Sequence, residues 1–175
     1  MSSLDELRLI LGRAEGSRPG PDWERVEREI GLRLPGDYKL IVTEYPGLTI
    51  DRFLTVHRPA GESFHDLRSF AESILEGARE LRDEFDEIPY PLYPEEGGVY
   101  PWGSTANGDH VFWQVTGPPD SWPVVVAGRD YAEDDWWRFD GSASDFLAGV
   151  LTGRVSCPVL VEGFPRAEPT FSTHD

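Results

Sequence analysis

The side chains best suited to chemistry are few and scattered. Four histidines stand at 57, 65, 110 and 174, and their spacing does not suit a shared metal ion. Neither H-E-x-x-H nor C-x-x-C occurs, nor G-x-S-x-G, a Walker loop or a dinucleotide fingerprint. Cys157 is the sole cysteine, so no intramolecular disulfide forms, and with no evident histidine partner it reads as an inert small side chain. Asp109 beside His110 could be drawn as a dyad, but neighbours on a strand project to opposite faces. Paired carboxylates abound in any acidic chain and say little about glycoside chemistry. No catalytic residue, metal or cofactor is therefore expected.

What the chain has in quantity is negative charge. Against 16 lysines and arginines stand 32 acidic residues, a formal net charge of −16. Such a field repels nucleic-acid backbones and anionic membrane surfaces, so neither is an expected partner. It favours solubility and steers a basic protein partner. The acids cluster at Asp83, Glu84, Asp86 and Glu87, at Glu95 and Glu96, and at Asp130, Glu133, Asp134 and Asp135. Each block can be read as a solvated face or as a phosphate mimic for a basic cleft. Trp136 adjoins the last block and would make an anchor with a charged rim. Trp136 and Trp137 must point to opposite faces of a strand, one buried and the other exposed or covered by an edge element.

The elements that position these groups follow from periodicity and turn signals. With 175 residues and 12% aromatics, including six tryptophans, the chain can bury roughly 70% of its unfolded surface without a staple. Leu4, Leu7, Leu11 and Ala14 predict a short amphipathic helix, and GSRPGP at 16–21 breaks it. Asp22 caps a helix whose apolar stripe begins at Trp23, read as core, and Gly31 stops it. Pro35 opens a second short helix that ends at Pro46-Gly47. Residues 50–56 alternate as one strand. Ser63 would cap a longer helix to about Phe85, with Leu67, Phe70, Ala71, Ile74, Ala78, Leu81 and Phe85 on its buried side.

After the Pro-rich connector 88–98, strands are expected at Val99–Trp102, His110–Val115, Trp122–Ala127 and Trp136–Phe139, antiparallel because the links are short. In the turn before His110, Asn107-Gly108 suits a tight hairpin, Gly103 after Trp102 suits a bulge or close backbone approach, and Asp109 can accept from turn amides. That run has a structural reading and a reading as part of a partner surface. Ser142 and Asp145 form a capping box for a last helix ending at Gly153. The fold class is α+β, a single domain with a twisted antiparallel sheet of about five to six strands packed with helices. The expected divisions are a helix and linker over 1–21, a body over 22–153 and an irregular, loosely docked tail over 154–175. The start lacks a basic segment followed by an apolar one, and no apolar run approaches the roughly 20 residues of a spanning helix, so a cytoplasmic protein is expected.

Three segments, in order, resemble the SUKH superfamily, the cell-wall-assembly-regulator-like family rich in bacterial immunity proteins. They are WERVEREIGLRLPGDY at 23–38, YPWGSTANGDHVFW at 100–113 and DWWRFDGSASDFLAGVLTG at 135–153. The W-G-x-T-x-N-G-D run is the most specific. The N-terminal helix, the long acidic helix and the tail depart from the pattern. The resemblance implies binding in place of catalysis, with a basic toxin domain, a nuclease or deaminase, as the partner. A regulatory scaffold of cell-wall or signalling type is the alternative, and a ligand-binding or hydrolytic domain the third. A monomer is the favoured expectation.

Overall fold

A computed structural model describes residues 1–14, 19–59 and 66–174. Helix α1 spans Ser3–Leu11, α2 Trp23–Ile30 and α3 Gly36–Glu44. Strands β1 (Thr49–Ile50) and β2 (Leu54–Val56) precede the long helix α4 (Leu67–Phe85). Then come β3 (Val99–Thr105), β4 (His110–Gln114), β5 (Val124–Ala127) and β6 (Trp136–Phe139), helix α5 (Ala143–Thr152) and β7 (Phe171–Ser172). The strands form one antiparallel sheet of seven in the order β6-β5-β4-β3-β2-β1-β7.

Two departures raise the strand number above the expected five to six. Residues 50–56 are not one strand but a hairpin, because Asp51 and Arg52 both take left-handed φ angles, 52° and 55°. That pair of positive angles turns the chain in the sense of the strand twist, and with Ile50 paired to Leu54 the loop holds three residues, 51–53, closed by the Phe53 N–H donating to the Ile50 carbonyl at 2.9 Å. No Asn-Gly announces it; the tail holds it instead. The buried Asp51 carboxylate accepts the N–H of Arg166 at 2.9 Å and of Thr170 at 2.8 Å, while the Asp51 N–H donates to the Thr170 carbonyl at 2.8 Å. The tail is accordingly not wholly irregular: Phe171 pairs with Ile50, Ser172 with Thr49, and the Phe171 ring meets Tyr45 edge-on at 5.6 Å.

The core lies between the sheet and its helices: α3 and α5, with α1 docked on α5, and α4, which packs on β3. Tyr100, Trp113 and Trp102 stack in a row, with centroids 6.4 and 5.6 Å apart. Tyr38 of α3 meets Trp113 edge-on at 4.9 Å, and Phe146 of α5 meets Trp102 at 6.5 Å. The indole N–H groups of Trp102 and Trp113 are buried with no partner among the described residues, a cost the surrounding aromatic burial must outweigh. The Ser142–Asp145 capping box forms, and the Asp37 carboxylate accepts the Ser144 N–H at 2.8 Å, tying α3 to α5. Helix α1 is docked on α5, with Leu7 and Leu11 buried and Arg8 bound to Glu44 at 2.9 Å.

Local departures have simple causes. Helix α4 starts one residue after Asp66, whose side chain accepts the Ser69 N–H; Ser63 and His65 lie outside the described residues. Strand β5 begins at Val124, not Trp122, because a single 3-10 turn over Pro119–Ser121 takes up the chain before it and Trp122 donates its indole N–H to the Gly117 carbonyl. Among the described residues, no helix is long and apolar enough to cross a membrane.

Candidate protein-binding surface

The groups that might have done chemistry are engaged in holding the sheet. His110 Nδ1 bonds the Tyr131 hydroxyl, and its ring lies 5.9 Å from Phe70. Burial pushes the His110 imidazole down to about 4, so it is neutral near pH 7. His57 stacks on Phe70 at 3.7 Å and bonds Ser104 at 2.8 Å. Cys157 is buried, and burial pushes its thiol up, away from the nucleophilic thiolate.

Asp109 is buried in the β3–β4 turn, but it does not take the turn amides directly. The Thr105 hydroxyl accepts the N–H groups of Asn107 and Asp109, at 3.3 and 3.2 Å, and donates to the Asp109 carboxylate at 2.7 Å. Of Asn107 and Gly108, only Gly108 takes a positive φ, 87°, so the turn is a longer loop than the two-residue type read from the sequence. The register shifts between Pro101 and Gly103, which makes Trp102 the bulged residue. Any Cβ at Gly103 would stand 3.2 Å from the Thr55 carbonyl oxygen. Trp102 is fully buried, whereas Trp23 is only half-buried, its ring centroid 6.3 Å from that of Tyr38 in an edge-on contact and beneath the Lys39 ammonium. Pro35 is the residue that caps α3.

The acidic blocks fall at the end of α4 and on the β5–β6 loop. Asp83, Glu84, Asp86 and Glu87 are exposed, and α4 ends where Asp86 takes a left-handed conformation. Glu95 is held by Arg82 through contacts of 2.6 and 2.9 Å, which keeps its carboxyl below the usual range; Glu96 is exposed beside it. On the other block, Asp130, Glu133 and Asp134 are exposed, Asp130 making only a loose 3.8 Å pair with Arg129. Asp135 differs. It is half-buried over Gly128, where a Cβ would stand 1.6 Å from its Oδ2, and burial pushes its carboxyl up.

Trp136 and Trp137 take opposite faces, yet neither is exposed. Trp137 packs on Phe139 and Phe146, toward α5. Trp136 packs on Phe112, Tyr131 and Tyr90, and its indole N–H donates to the Tyr131 carbonyl at 3.3 Å. The rings of Tyr90 and Trp136 lie 5.5 Å apart, so the connector after α4 packs on β6.

One surface residue was missed by sequence reasoning. Phe85 belongs to the helical apolar stripe by spacing, yet it is 58% exposed, set between Glu84 and Asp86. Leu67, Ala71, Leu75 and Ala78 are buried, and the stripe runs past its cover before reaching Phe85. A large apolar ring flanked on both sides by carboxylates was the signal available.

Among curated proteins no match to the chain is found. A family model does match: SUKH_6, described as SMI1-KNR4 cell-wall, over residues 21–147. The match covers all of α2, α3, α4 and β1 to β6 and reaches the first half of α5. With most of its length matched, and with the three sequence segments built into one α+β sheet domain, the chain belongs to the SUKH, or SMI1-KNR4, family.

Proposed function

We propose that the chain is a non-catalytic binding module that docks a basic protein, and that it acts as an immunity protein covering a cognate nuclease- or deaminase-type toxin domain. The observation that carries this reading is the exposed Phe85 ring flanked by the exposed carboxylates of Asp83, Glu84, Asp86 and Glu87, which make no ion pair among the described residues. An apolar anchor with a charged rim suits a hot spot, and the field of a chain at −16 accelerates encounter with a cation-rich partner. The reading without catalysis is supported by His57, His110, Asp109 and Cys157, each committed to internal bonds or buried. The docking set comprises Asp83, Glu84, Phe85, Asp86, Glu87, Glu95, Glu96, Asp130, Glu133 and Asp134, with Trp136 supporting it from below.

The test is to mix the purified chain with the toxin domain encoded beside it. A one-to-one complex that silences the toxin, and whose association slows as salt rises, is the expected result. Absence of any complex at low salt with a neighbouring toxin domain removes the reading. The family description, which names the cell wall, favours as a second reading a scaffold for a wall-assembly partner. A neighbouring gene that encodes a toxin speaks for the first, and its absence beside a wall-assembly locus for the second.

A further inference from the structure

The sheet ends in an open edge at β6, which pairs with β5 and with no other strand among the described residues. Strand β5 is buried throughout, whereas no residue of β6 is fully buried. The direction in which the β6 backbone faces follows from its neighbours. The Gln114 N–H donates to the Pro123 carbonyl at 3.0 Å, so by alternation Phe112 and His110 bond across to Val125 and Ala127. The backbone groups of Val124 and Val126 therefore face β6, opposite Phe139 and Trp137, and the Gly128 N–H continues that set by donating to the Asp135 carbonyl at 2.9 Å. Trp136 and Arg138 lie between these bonded pairs. Their backbone N–H and C=O groups point away from the sheet and have no partner among the described residues. The other end of the sheet offers less, since β7 has two residues.

A row of unpaired backbone groups is a template for another strand, and the charge around it decides which strand. From Arg129 to Asp140 stand five carboxylates against two arginines, a net charge of −3. Both arginines lie beside carboxylates, Arg129 at 3.8 Å from Asp130 and Arg138 at 3.1 Å from Asp140, which leaves Glu133, Asp134 and Asp135 at the start of the strand. At its far end, Asp120 and Asp145 line the same shallow hollow as Arg138 and Asp140. The connector over 86–98, which packs on Trp136 through Tyr90, brings acids and no cation. A second copy paired on this edge would set carboxylates against carboxylates, which disfavours self-pairing. The same groups attract a strand that carries cations at its ends.

We propose that β6 accepts an extended strand of the basic partner, bonded main chain to main chain at Trp136 and Arg138, with a lysine or arginine of that strand set against Glu133 to Asp135 at one end and against Asp140 at the other. The proposal rests on the reading of the chain as a binder of a basic protein. It adds a main-chain contact that the side-chain surface around Phe85 does not supply.

The test titrates the isotopically labelled full chain at low salt with the capped peptide Lys-Thr-Val-Thr-Val-Thr-Lys, reading amide shifts and amide hydrogen exchange. In the free chain the Trp136 and Arg138 amides should exchange readily while those of Trp137 and Phe139 are protected. The peptide should slow exchange at Trp136 and Arg138, and a version with glutamate for both lysines should not. N-methylating the two valines, or instead the outer two threonines, blocks alternate rows of N–H groups, so one version should lose binding and the other keep it. Arg138→Pro removes one outward N–H, leaves the bonds to β5 in place and should weaken the lysine peptide about tenfold. Arg138→Gln keeps that N–H and should bind the peptide at least as well as the parent. The N-methylated peptides decide the same point with no change to the protein. Equal binding of the glutamate peptide, equal effects of the two N-methylated versions, parent-like affinity in a folded Arg138→Pro, or no slowing at Trp136 and Arg138 overturns the proposal. Shifts confined to residues 83–96 also overturn it and leave the protein-binding reading standing; that reading fails separately, when no complex with the toxin domain forms.

Discussion

Acidification should unload stability through one residue, His110. Its ordinary value of 6.5 falls to about 4 in the folded chain because the ring is enclosed by Phe70, Phe112 and Tyr131; Asp109 opposes the shift only weakly. Between those two pH values the unfolded chain binds a proton that the folded chain refuses. Stability therefore rises with pH across the window and is lost as pH falls through it. At 1.36 kcal/mol per unit, the loss reaches about 2 kcal/mol at pH 5 and about 3 kcal/mol at pH 4. Relief of the chain's own negative repulsion acts in the opposite direction, and carboxylates held low, such as Glu27 and Asp145, add their losses only nearer pH 4. A difference measurement isolates the histidine. Urea melts followed by tryptophan fluorescence at pH 7, 6 and 5 should be run on the parent and on His110→Asn, whose amide can still bond the Tyr131 hydroxyl. The parent should lose about 2 kcal/mol more than the variant between pH 7 and 5. Equal losses would show that the ring is not shielded as described, and a larger loss in the variant would reverse the sign of the reasoning.

Phe85→Ala should change stability by less than about 0.5 kcal/mol, because the ring is exposed, yet weaken a cognate complex tenfold or more by calorimetry. Glu133→Lys with Asp134→Lys should slow association at low salt and spare the melting temperature; unchanged rates at low salt would remove that loop from the interface. Asp135 is left out of that pair because it packs over Gly128, so its reversal would disturb the fold. Trp102→Ala should cost roughly 3–5 kcal/mol in chemical denaturation, since the ring is fully buried between Trp113 and Phe146. A variant that melts like the parent but no longer binds would move Trp102 from the core account to the interface.

Much of the fold was legible because its signals are local. The Ser142–Asp145 box, the Asp22 and Gly31 caps and the turn signals Asn107-Gly108, Gly117-Pro118-Pro119 and Gly128 between the later strands each state their element within a few residues. The hairpin at 50–56 was not legible, because Asp51 and Arg52 carry no intrinsic preference for paired left-handed angles strong enough to mark it. Those angles are held by Thr170 and Arg166, more than 110 residues away. For the same reason β7 could not be read: two residues pair only because β1 offers them an edge.

The candidate surface divides along the same line. Composition and motif alone determined that the chain is strongly acidic, α+β, SUKH-like and without a recognisable catalytic signature. Which of its carboxylates stand free was decided by tertiary structure: Glu95 is bound by Arg82, Asp135 is folded over Gly128, and Glu133 and Asp134 are left to solvent. The packing of Tyr90 on Trp136 and the exposure of Phe85 also belong to tertiary structure. Periodicity fixes which side of an element is apolar, but only the packing of distant elements fixes where the cover ends.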